Sequence, residues 1–104
     1  MIKVKVTKKH GQIIALVVSG HANSGEYGKD LVCAGVSAVV IGGLNSLQQK
    51  SHCDIEVNDG YVSINAKKLL IEHDAIVLET IVTSLLTIEK NYHKYIKITE
   101  ERID

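Results

Sequence analysis

The apolar residues of this chain twice switch from a period of two to a spacing of three and four, and that succession most constrains its fold. Ile2, Val4 and Val6 alternate with Lys3 and Lys5, as in a strand with one buried face. After a turn at His10 and Gly11, residues 12–19 are almost wholly apolar (IIALVV) and read as a second, buried strand. Leu31, Ala34, Ala38, Ile41, Leu44 and Leu47 or Gln48 then recur at helical spacing, which predicts a helix capped by Asp30 and ending near Gln49. Alternation returns in residues 52–57 and 61–65 around the turn Asn58, Asp59, Gly60. Ala75, Leu78, Ile81, Val82, Leu85 and Ile88 form the stripe of a second helix, with Asp74 as its cap and its end near Lys90. Residues 95–99 close with a short strand. The order ββαββαβ predicts an α+β fold, a mainly antiparallel sheet with two helices packed on it.

At 104 residues without a proline or a linker, residues 1–104 form one domain with room for one site. Twelve Lys plus Arg balance twelve Asp plus Glu, and four Tyr are the whole aromatic content. A nucleic-acid binder of this size is usually basic and offers rings for stacking, so direct nucleic-acid binding is not expected. Residues 1–50 carry six Lys against Glu26 and Asp30, and residues 51–104 carry six basic against ten acidic residues. That asymmetry steers a basic peptide or merely reflects solvated faces. The most apolar segment, residues 31–47, is interrupted by Gly35, Gly42, Gly43 and Asn45 and is too short for a membrane span. The N-terminal alternation lacks the apolar run of a signal peptide. With two cysteines, a reduced cytoplasm is the expected compartment, and a disulfide between Cys33 and Cys53 is not suggested.

Chemistry concentrates in residues 20–37, GHANSGEYGKDLVCAGVS. Cys33 falls at the third position of the helix that Asp30 caps, where unpaired amides and the helix dipole favour negative charge. A thiol attacks as its thiolate, and His21 is the candidate partner that protonates the leaving amine. The bland alternative for Cys33 is a small buried residue on an apolar helix. Asp30 opposes a thiolate unless its carboxylate is occupied, either capping the helix or orienting His21. Ser37, one turn beyond Cys33, either points into the same pocket or bonds back to the helix backbone. The amides of Cys33 and Ala34 are the candidate oxyanion donors. Gly25 and Gly28 are the candidate hinges of the loop at residues 20–29, whose composition permits backbone motion.

Other candidates carry less. His52 and Cys53 are adjacent, so on a strand they point to opposite faces and do not share a metal; Cys53 reads as core. His10, His73 and His93 read as surface. Gly42 and Gly43 lack the residues of a phosphate loop and imply close helix packing on the sheet, or a kink. No metal or other cofactor is expected.

With GHA at residues 20–22 and DLVCAGVS at residues 30–37, the chain resembles the ribosomal-processing cysteine proteases, the Prp family, over essentially its whole length. The resemblance implies a homodimeric peptidase that removes a short N-terminal extension from a large-subunit ribosomal protein, cutting after an aromatic pair. It carries His21 and Cys33 over as the dyad and Asp30 and Ser37 as motif residues. The rival reading is a non-catalytic ribosome-associated module that binds a peptide without cutting it, for instance along a sheet edge.

Overall fold

A computed structural model describes residues 1–22 and 30–103. Strands β1 (Ile2–Lys9) and β2 (Gln12–Ser19) are followed by helix α1 (Leu31–Asn45) and a 3₁₀ turn (Lys50–His52). Strands β3 (Cys53–Asn58) and β4 (Tyr61–Ala66), helix α2 (Glu72–Tyr92) and strand β5 (Ile96–Ile103) complete the chain. The five strands form one sheet in the order β3-β4-β2-β1-β5. Three neighbouring pairs are antiparallel, and β5 lies parallel to β1, Ile2 opposite Ile96 through Lys9 opposite Ile103.

The pairings make β3 run with β2 and β5 run with β4. Strands that run the same way need a crossover, and α1 and α2 supply the two. The alternation in β1 buries Ile2, Val4 and Val6 and leaves Lys3 and Lys5 in water, so the helices pack on one face of the sheet. There Leu16, Ile64, Leu78, Leu85 and Ile96 close the core.

Four local expectations are corrected. The buried face of α1 is Val32, Val36, Val40 and Leu44, not the stripe through Leu31, Ala34 and Ala38; Leu31 is 77% exposed. The helix is apolar around its circumference, so periodicity alone does not choose a face. Second, α1 stops at Asn45 with Ser46 as its cap, because the amides of Gln48 and Gln49 donate to the Asp74 carboxylate at 2.9 Å each instead of continuing the helix. Third, Asp74 therefore does not cap α2, which starts at Glu72 after Ile71. Strand β5 also runs on to Ile103, with Glu100 and Glu101 paired to Lys8 and Lys5 of β1.

Gly43 permits close packing of α1 on α2 rather than on the sheet, since a Cβ there would strike the Ile81 side chain, whereas one at Gly42 would meet nothing within 4 Å. Gly42→Ala should raise stability by roughly 0.5–1 kcal/mol through helix propensity, and Gly43→Ala should lower it by about 1 kcal/mol through overpacking. Thermal melts of the two variants check the opposite signs.

Candidate active site

Asp30 fits the cap position because its backbone is extended (φ −78°, ψ 100°) while its carbonyl already accepts the first helical bond, from the Ala34 amide at 3.0 Å. Its Oδ1 accepts the Cys33 amide at 3.0 Å. The capping role expected of Asp30 is thus present. The same two bonds engage the amides of Cys33 and Ala34, the candidate oxyanion donors, with Asp30.

The donor that faces the sulfur comes from elsewhere. The Ala22 amide, at the exit of β2, points at Cys33 Sγ from 3.2 Å, so an amide hydrogen lies against the sulfur and would favour negative charge on it. Ala22 is buried at 4% exposure and Cys33 is half-buried. Sequence reasoning missed this donor because a backbone N–H leaves no trace in residue type; the small residue after His21 was the available sign.

Cys33 opens onto a cavity of about 780 Å³ whose walls include His21, Asp30, Ala34 and Ser37. Its floor is apolar, with Ile2, Val18, Val36, Val40, Ile41 and Val62. The face of α1 expected to be core, with Ala34 and Ile41, has become a wall of this cavity. The turn Asn58, Asp59, Gly60 between β3 and β4 forms another side. Among the described residues, Sγ takes its hydrogen bond from Ala22 and none joins it to the exposed His21 ring. The structure therefore brings His21, Cys33, Asp30 and Ser37 to one cavity, while Gly25 and Gly28 lie outside the described residues.

The remaining candidates are separate from it. Both cysteines are free thiols. Burial pushes the Cys53 thiol above its ordinary range, and the carboxylates of Asp74 and Asp54 push it further, against a smaller opposing effect of Lys67. His10 sits in the β1–β2 turn and His93 caps the end of α2. His52 bonds the Leu69 carbonyl through Nδ1 at 3.0 Å. His73 is more than a surface residue, because its Nδ1–H donates to Asp74 at 2.9 Å. Among the described residues no helix is long and apolar enough to cross a membrane.

The family described as "Cysteine protease Prp" matches this sequence over residues 1–97. The protein named ribosomal processing cysteine protease Prp in Staphylococcus aureus (strain Mu50 / ATCC 700699) is 33% identical over 103 residues, covering 94% of this chain and 97% of that protein. The protein of the same name in Bacillus subtilis (strain 168) is 32% identical, covering 95% and 96%. Among solved structures, the S. aureus processing protease with a covalently linked product peptide superposes with a TM-score of 0.87 at 33% identity, over 97% of this chain and 100% of that one. The same protease with a substrate peptide gives 0.76 at 31% identity and the same coverage.

Proposed function

The chain belongs to the cysteine protease Prp family, and on that premise we propose that it removes a short N-terminal extension from a large-subunit ribosomal protein by acyl transfer. Cys33 thiolate attacks the scissile carbonyl carbon, forming the C–S bond as the carbonyl electron pair moves to oxygen. The tetrahedral adduct collapses, the C–N bond breaks, and His21 gives its proton to the departing amine. Water then hydrolyses the thioester, with His21 taking the proton back. The Ala22 amide, 3.2 Å from Sγ, favours negative charge on the attacking sulfur.

The observation that carries this reading is that amide on the Cys33 sulfur, at the mouth of a cavity that His21 also lines. The cavity's apolar floor suits an aromatic residue before the cut. Two named relatives are ribosomal processing proteases, and one was crystallised with a product peptide covalently attached. The same reading has the enzyme working in the cytoplasm, without a cofactor, as a homodimer; a solution mass of one chain would remove the dimer from it. Incubation with the unprocessed ribosomal protein of the same bacterium should yield one N-terminal cut, located by mass, and an intact protein would count against the substrate.

Alkylation separates chemistry from binding. Iodoacetamide near pH 7 should label Cys33 at least about tenfold faster than the buried, thiol-form Cys53, with His21→Ala slowing Cys33 by roughly tenfold. Equal, slow labelling of both cysteines would favour the peptide-binding module instead.

A further inference from the structure

The turn between β3 and β4 does more than join two strands. Gly60 lies in the left-handed region (φ 70°), and a Cβ built on it would stand 2.8 Å from His21 Nε2, 3.3 Å from Cε1 and 3.5 Å from Cδ2. The imidazole edge therefore rests on a backbone shelf that only glycine provides. Shelf and ring are tied together as well, because the Gly20 amide, one residue before His21, donates to the Gly60 carbonyl at 2.9 Å. The pairing of β2 with β4 continues to this point, Ser19 opposite Tyr61.

We propose that Gly60 is a positioning residue for His21: its missing side chain sets where the imidazole stands relative to Cys33. This rests on reading His21 as the acid–base partner of Cys33. An added methyl meets the far end of a side chain that can swing about two torsions, so the protein can fold around it. What yields is the ring's place in the cavity. A hairpin turn on another strand pair thereby acts on a dyad assembled from the exit of β2 and the start of α1.

Gly11 provides the control, since it has the same left-handed backbone (φ 78°) in the β1–β2 turn, with nothing within 4 Å of an added Cβ. Gly60→Ala and Gly11→Ala thus share the conformational penalty and differ in what the methyl meets. Gly60→Asn is the second variant, because asparagine tolerates the left-handed region while still carrying a Cβ. The measurements are the iodoacetamide rate of Cys33 across pH 5–9 and the His21 ring resonances by NMR. Gly60→Ala and Gly60→Asn should displace those resonances and slow Cys33 roughly tenfold, towards the rate and pH profile of His21→Ala. Gly11→Ala should stay within about twofold of wild type despite a similar loss of melting temperature. Unmoved ring resonances in both Gly60 variants, or an unchanged rate in them beside a slowed His21→Ala, would overturn the positioning role alone. A wild-type rate in His21→Ala would overturn the dyad and this role together.

Discussion

Cys33→Ser is expected to fold as the parent does and to lose cleavage of the unprocessed ribosomal protein by roughly 10⁴-fold or more. The hydroxyl is smaller than the thiol and can accept the same Ala22 amide, so the junction between β2 and α1 keeps its packing. A serine hydroxyl does not supply a comparable anion at neutral pH. Circular dichroism and the thermal midpoint test the fold, and the mass of the ribosomal protein tests the chemistry. Full cleavage by the serine variant would remove Cys33 as nucleophile.

That effect is local because of how the site is assembled. The sulfur lies between the exit of β2, which supplies the Ala22 amide, and the first turn of α1, which Asp30 closes. Asp30 brings a carboxylate to within a turn of the proposed nucleophile, and its cap bond to the Cys33 amide draws on that charge. The capping aspartate thus sets the helix entry that presents Cys33, while the neutral amide of Ala22 faces the sulfur.

Much of this architecture was readable before any coordinates. The alternation in β1, the turn at Gly60 and the stripe of α2 rest on periodicity that tertiary packing merely uses, and each appears within a few residues of its expected place. Asp30 was readable as a cap because the donor lies three residues away in the same chain segment. The buried face of α1 was not, since valine and alanine faces of an all-apolar helix look alike and the sheet chooses between them. The donor to Cys33 is a backbone amide across an eleven-residue separation, and residue identity does not report it. Asp74 was misread for a related reason: an aspartate beside a helix start suits a local cap, but here a segment 25 and 26 residues earlier takes the carboxylate.

That carboxylate gives the largest expected change in stability. Asp74 is fully buried; Oδ1 accepts from the Gln48 amide and His73 Nδ1, and Oδ2 accepts from the Gln49 amide. Burial alone pushes its carboxyl up, but the amide of Gln48, the His73 side chain and the amide of Gln49 together outweigh burial and hold it below the usual range. In Asp74→Asn, one face of the side chain becomes a donor set against a backbone donor, which should cost about 2–4 kcal/mol at pH 7, or roughly 10–20 °C in melting temperature. Because the folded pKa is depressed, the wild-type advantage is fully present above the unfolded value near about 4 and is lost as pH falls through the folded value. Urea melts at pH 7, 5 and 3 should therefore show the two proteins converging only at the acid end. A constant difference across that range would mean that the carboxylate's charge is not what stabilises the bend after α1. Cys33 stands at the other end of α1, a helix of 15 residues, so its alkylation rate in the folded variant should stay at the wild-type value.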